Sequence, residues 1–144
     1  MSDANYLPSA SRWVRDQVSA IDRAGDTAAV DMGGMRVVLI TMRGRVSGKL
    51  RKVPLMRVEH DGTYAAIASL GGAPKDPQWA GNLRAHPDVE VQDGRDVTPM
   101  LAREVTDPAE RAQWWDRAVA AFPDYAAYQQ RTTRVIPIFL LEPR

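Results

Sequence analysis

The feature that most constrains this chain is a series of short β-forming runs, several of them joined by turns rather than by helices. Val37-Val38-Leu39-Ile40-Thr41-Met42 is continuously apolar and mostly β-branched, as in a strand buried on both faces. After a polar break, a second run from Val53 to Glu59 reaches the turn pair Asp61-Gly62, which leads into a third, Thr63 to Ser69. Val89 and Val91 alternate with Glu90 and Gln92 in a fourth. Gly94-Arg95 turns it into a fifth, Val97 to Val105, where Pro99 marks an edge or bulge. A sixth spans Val135 to Leu141, with Pro137 implying the same. Strands joined by tight turns pair antiparallel, because a parallel crossover needs about a dozen residues. Six strands in 144 residues, with no repeat and no linker, predict one domain over 1–144. Its class is mainly β with helices (α+β): a small antiparallel barrel with helices packed outside.

The helices have recognisable ends. Ser9 or Ser11 caps a helix through about Ala24, with Val14, Val18 and Ile21 on one face, Trp13, Gln17 and Ala20 beside it, and Gly25 stopping it. Residues 1–10 are expected to be loosely held, and 25–34 to be loop. Asp76-Pro77 opens a second helix, Asp as N-cap and Pro at the first helical position, carrying Trp79, Leu83 and Arg84 until His86-Pro87 ends it. Asp107-Pro108-Ala109-Glu110 opens a third with Ala112, Trp115, Val119 and Phe122 at helical spacing. Phe122-Pro123-Asp124 breaks that one, and a short helix with Tyr125 and Tyr128 follows.

The break between the first two strands carries an unusual charge. No acidic residue lies between Asp31 and Glu59, while seven cations do: Arg36, Arg43, Arg45, Lys49, Arg51, Lys52 and Arg57. Net charge is only +1, so the excess is local, which argues against a general nucleic-acid binder. Gly44, Ser47, Gly48 and Arg51 offer the backbone N–H groups, hydroxyl and guanidinium that converge on phosphates. It is not a Walker loop, because Gly-Lys-Ser/Thr is missing and a strand follows. On composition alone, a solvated cation-rich hairpin tip accounts for the stretch equally well.

Other chemistry is excluded or weak. With no cysteine, thiolate catalysis and disulfides are out, and neither His60 nor His86 has a partner at metal-ligand spacing, so no metal is expected. No apolar run approaches a membrane span, and the N-terminus lacks the apolar segment of a signal peptide. A cytoplasmic protein is expected, with peripheral membrane contact left open. Ala68 to Leu83, with Gly71-Gly72, is a place for a flat ligand to approach backbone, though taken alone it reads better as a long connector that needs glycine to turn, with Trp79 simply core. Phe122, Tyr125 and Tyr128 fall within seven residues and suit a pocket wall as well as a core. No carboxylate pair, His–Asp pair or thiol stands out, so an enzyme here would borrow its reactive group from a cofactor.

Three segments together resemble the deazaflavin-dependent nitroreductase family of actinobacteria, whose members use coenzyme F420. They are Gly44-Arg45-x-Ser47-Gly48-x-x-Arg51-x-x-Pro54-Leu55, Ala68-Ser69-x-Gly71-Gly72-Ala73-Pro74-Lys75-x-Pro77-x-Trp79-x-x-Asn82-Leu83, and Phe122-Pro123-x-Tyr125-x-x-Tyr128 with Ile136-Pro137. The resemblance implies a split β-barrel akin to flavin-binding barrels, and F420, with its phosphate and glutamate tail, as the anion. It places the cofactor at Arg45, Val46, Ser47, Gly48 and Lys49, at Arg51, Lys52, Val53, Pro54, Leu55 and Met56, at Ile67, Ala68, Ser69 and Leu70, at Gln78, Trp79, Ala80, Gly81 and Asn82, and at Tyr125. It places the substrate at Met56, Phe122, Tyr125 and Tyr128, with Tyr125, Tyr128 and Ser69 as catalytic candidates. Three departures stand out: Val46 and Leu70 replace lysines found in relatives, and Ala80-Gly81 replaces a bulkier pair, which should open the pocket.

The implied activity is hydride transfer from reduced F420 to a small electron-poor acceptor: a quinone, enone or nitroaromatic. The alternatives are an FMN-binding split-barrel oxidoreductase and a non-catalytic F420- or lipid-binding protein. A nucleic-acid partner is not expected, and monomer and homodimer both remain open.

Overall fold

The computed structural model describes residues 5–144. Helix α1 (Arg12–Ala24) begins where the Ser11 hydroxyl accepts from Val14 N–H, and it ends at Gly25 in the left-handed region, φ 64°. A capping hydroxyl of this kind contributes about 1 kcal/mol. The chain before it is engaged: Tyr6 bridges Leu50, and Leu7 N–H donates to the Leu50 carbonyl at 2.9 Å. Of the segment expected to be loose, residues 1–4 lie outside the described residues.

The strands are β1 (Val37–Arg43), β2 (Leu50–Met56), β3 (Glu59–His60), β4 (Thr63–Ile67), β5 (Asp88–Asp93), β6 (Asp96–Glu104) and β7 (Ile138–Pro143). They form one antiparallel sheet in the order β2-β1-β5-β6-β7-β4-β3. Strands β2 and β3 are the opposite edges, yet only Arg57 and Val58 separate them. The three Cα–Cα steps from Met56 to Glu59 span at most about 11 Å, so the sheet must curl until its edges meet. The result is a split barrel. The expected single strand from Val53 to Glu59 is thus two strands, because the chain changes edges there, and the count rises from six to seven.

The prolines sit where the ladder lacks a second partner. Pro54 lies in edge strand β2, and Pro99 in β6 pairs only with Glu90, since β7 joins β6 from Met100 onward. Pro137 precedes β7 rather than interrupting it.

Strand β1 is buried on both faces, as its composition requires. Val38, Ile40 and Met42 join Val89, Val91, Phe139 and Leu141 in one cluster, with Ala80 and Leu83 from α2 (Gln78–Ala85). Val37 and Leu39 point the other way, against Val18 and Ile21 of α1. The opposite face of β4 and β7 is covered by α3 (Pro108–Ala121) and α4 (Asp124–Gln130). The Asp107 carboxylate accepts from Glu110 N–H at 3.0 Å, which starts α3 as expected. Its buried stripe is Trp114 and Ala118; Trp115 and Val119 are only half buried and Ala112 is exposed.

Candidate functional site

The β1–β2 hairpin tip is tightly self-bonded. Gly44 N–H donates to the Lys49 carbonyl at 2.7 Å, Gly48 N–H to the Gly44 carbonyl at 3.0 Å, and Lys49 N–H to the Ser47 hydroxyl at 3.1 Å. Arg45 N–H donates to Asn82 Oδ1 of α2 at 2.9 Å. Four backbone N–H groups of the tip are therefore spent within the protein, among them those of Gly44 and Gly48, which were expected to face a ligand. The side-chain charge of the tip is still available to an anion.

The seven cations divide by partner. Arg57 and Arg36 pair with Asp93 at 2.8 and 3.2 Å, and Lys52 pairs with Asp22 of α1 at 3.1 Å. Arg43 donates to the Gly48 carbonyl. Among the described residues, Arg45, Lys49 and Arg51 have no carboxylate partner. Arg45 and Arg51 line a cavity of about 370 Å³ with Gly44, Val46, Ser47, Gln78 and Asn82. Through Arg51, Gln78 and Asn82 this cavity adjoins another of about 360 Å³. Through Val53, Leu70, Pro77 and Trp79 that one adjoins a third, of about 370 Å³. One trough thus runs from the arginines along β2 to an aromatic end.

The aromatic end is walled by Val53, Pro54, Leu55 and Met56 of β2, by Ile67, Ser69, Leu70 and Gly71, and by Phe122, Tyr125 and Tyr128. The last three rings stack edge-to-face in a closed trio, with centroids 5.0, 5.9 and 6.2 Å apart. Burial, and then the neighbouring Tyr128, push the Tyr125 phenol well above its ordinary value. It stays protonated at any physiological pH. Ser69, a buried polar residue of this wall, is 7% exposed.

Several expected site residues do not line the trough. Ala68 and Ala80 are in the core, and Gly48 and Lys49 sit at the outer hairpin tip. Gly81 does not open the pocket: a Cβ there would lie 3.3 Å from Arg45 Cζ, so the Arg45 guanidinium fills the space. Gly72 does not face a flat ligand either, since its missing side chain admits the Tyr128 carbonyl, 2.5 Å from where a Cβ would stand. Asp76 does not cap α2. It accepts from Arg134 at 2.8 Å and from Arg84 at 3.4 Å, because charge-assisted bonds outcompete a cap.

Trp13, Val14 and Gln17 of α1 and Met32 complete the aromatic wall, and none was a candidate from sequence. The exposed side of α1 carries Trp13, 58% exposed, and that misplaced aromatic was the available signal. Arg134 was missed as well, with no signal in its neighbourhood to mark it.

The model of the F420H(2)-dependent quinone reductase family matches residues 13–143. The chain belongs to this family. Rv3178 of Mycobacterium tuberculosis, provisionally named an F420H(2)-dependent quinone reductase, is 37% identical over 107 residues, 74% of this chain and 89% of that protein. A solved structure of an F420-H2 dependent reductase, FDR-A, is 53% identical with a TM-score of 0.70, covering 74% of this chain and 93% of that one. A chain described as a domain-swapped dimer is 49% identical with a TM-score of 0.73, covering 93% and 100%. A pyridoxinephosphate oxidase family protein from Clostridium acetobutylicum shares the fold alone, at 12% identity and a TM-score of 0.52 over 89% of this chain and 85% of that one. The F420H2-dependent family is one of oxidoreductases, and its cofactor is coenzyme F420. Its long molecule, anionic at one end and flat at the other, fits a trough with unpaired arginines at one end and an apolar aromatic chamber at the other. Among the described residues, no helix is long and apolar enough to cross a membrane.

Proposed function

We propose that this protein is an F420H2-dependent reductase that passes a hydride from C5 of the reduced deazaflavin to a small electron-poor acceptor, a quinone above all and otherwise an enone or nitroaromatic. The polarity of the trough carries this reading: Arg45 and Arg51, free of carboxylates, at one end, and Ser69 with the Phe122–Tyr125–Tyr128 trio lining the other. Arg45 and Arg51 would hold the phosphate or glutamate tail, with Lys49 adding charge where Val46 has none. When bound, F420H2 supplies the hydride. The chain binds it, orients the acceptor and keeps water from the chamber. Tyr125, held protonated, and Ser69 are positioned to donate hydrogen bonds to an acceptor oxygen. Similarity to a domain-swapped dimer supports self-association of this chain.

Titration with F420 and assay of F420H2 oxidation by menadione test the reading. Expected are F420 binding, turnover, no retained FMN, and an Arg51→Ala variant that binds F420 more than about tenfold more weakly while remaining folded. Binding without turnover across quinones, enones and nitro compounds overturns the enzyme, and unchanged affinity in Arg51→Ala overturns the placing of the tail.

A further inference from the structure

One guanidinium organises the chamber without lining it. Arg134 follows α4, and its Nη2 donates to the Ser69 carbonyl at 2.8 Å, its Nη1 to the Ala68 carbonyl at 3.1 Å and to Asp76 at 2.8 Å, and its Nε to the Ala73 carbonyl at 2.9 Å. Arg134 is itself held from α4, since Gln129 Nε2 donates to its carbonyl at 2.8 Å while Gln129 Oε1 accepts from Ile136 N–H at 3.1 Å. The fork thus joins the helix carrying Tyr125 and Tyr128 to the turn carrying Ser69, Leu70 and Gly71. Leu70 in that turn has φ 45°, a left-handed backbone that leucine avoids unless its surroundings impose it.

We propose that Arg134 is a positioning residue for the deazaflavin-binding chamber: it imposes the left-handed turn at Leu70, and so sets the Ser69 hydroxyl and the Gly71 edge against the tyrosine wall. The inference rests on the function proposed above for what occupies the chamber. Lysine cannot replace this arginine, because only a planar fork reaches four acceptors on three sides.

The test uses the full chain and two readouts. Without ligand, amide hydrogen exchange is followed at Gly72 and Ala73, whose N–H groups donate to the Ser69 and Leu70 carbonyls at 2.9 and 3.1 Å. With ligand, fluorescence titration gives Kd for F420 and for its chromophore lacking the phosphate and glutamate tail. In Arg134→Lys, exchange at Gly72 and Ala73 rises about tenfold with β5 and β6 unchanged, and both Kd values rise by a common factor of about ten. Arg51→Ala, in contrast, weakens F420 alone. Leu70→Gly, which adopts the left-handed turn freely, makes Arg134→Lys cost less than about threefold relative to Leu70→Gly by itself. Asp76→Asn, a milder loss read the same way, keeps the test open if Arg134→Lys does not fold.

Unchanged exchange overturns the inference, and so does faster exchange with unchanged affinity for both ligands. If the wild-type chain binds neither deazaflavin, the proposed function fails and this role fails with it. If the wild type binds and the variants bind equally well, only the role of Arg134 fails.

Discussion

Arg45 and Gly81 make a lock that neither residue announces alone. A Cβ on Gly81 would meet Arg45 Cζ at 3.3 Å and Nε and Nη1 at 3.4 Å, and these atoms are the movable end of a side chain. Gly81→Ala therefore displaces the guanidinium instead of breaking the helix, and alanine inside α2 adds about 1 kcal/mol over glycine. The expected outcome is a Tm unchanged or raised, with F420 affinity lowered about threefold to tenfold. Thermal melts and titrations on the same samples check it, and full affinity with intact stability removes Arg45 from the tail site. At this scale the sequence was half legible. It showed that cations cluster at 43–52, because charge is written in composition. It did not show which were spent, since Lys52 meets Asp22 and Arg36 meets Asp93 only through the fold.

Between elements, the basic hairpin depends on α2. Asn82 Oδ1 receives Arg45 N–H at 2.9 Å, and its Nδ2 reaches Met42 Sδ at 3.8 Å. Asn82→Ala releases the tip while the β1–β2 ladder, paired from Val37↔Met56 to Arg43↔Leu50, holds. Amide exchange at Arg45 should rise and F420 affinity fall about fivefold, with stability lowered by about 1 kcal/mol, the usual worth of one such bond. Equal exchange at Arg45 in both proteins counts against the coupling. Most elements were legible from local signals: Ser11 and Gly25 bound α1, Asp107 opens α3, and Asp61-Gly62 turns β3 into β4. The start of α2 was not, because Asp76 faces Arg134 from 58 residues away and no local rule weighs that partner.

For the whole molecule, the split in the barrel is held by one carboxylate. Asp93 at the end of β5 accepts from Tyr64 of β4 at 2.6 Å and from Arg57, between β2 and β3, at 2.8 Å, while Arg36 approaches at 3.2 Å. Strand β5 is hydrogen-bonded to none of β2, β3 and β4, so Asp93 ties together parts of the sheet that the ladder leaves apart. Burial works against its charge, but hydrogen bonds from Tyr64 and Arg57 and the nearby positive charges hold its carboxyl below the ordinary value. Burial first, and then the bond to Asp93, push the Tyr64 phenol up to about 12. The unfolded chain therefore takes up the Asp93 proton more readily and releases the Tyr64 proton more readily than the folded one. The contribution is complete above the ordinary carboxylate value of about 4 and is lost as pH falls through the lower folded value. On the alkaline side it is complete below about 10 and is lost as pH rises toward 12. Urea midpoints across this range should plateau between the two shoulders, and Asp93→Asn should lower the plateau and flatten both. Shoulders of equal height in the variant would place the pH dependence elsewhere.

The sequence by itself determined the strands and helices, the antiparallel barrel, the local surplus of cations and the motifs that carry the family resemblance, because these reside in short-range pattern and spacing. Only the tertiary structure decided which cations stay unpaired, that β2 and β3 part at Arg57-Val58 to close the barrel, that α1 walls the aromatic chamber, and that Arg134 holds its turn. Each of those depends on partners distant in the chain, and a charge or a glycine reads the same in sequence whether a ligand or another part of the protein lies against it.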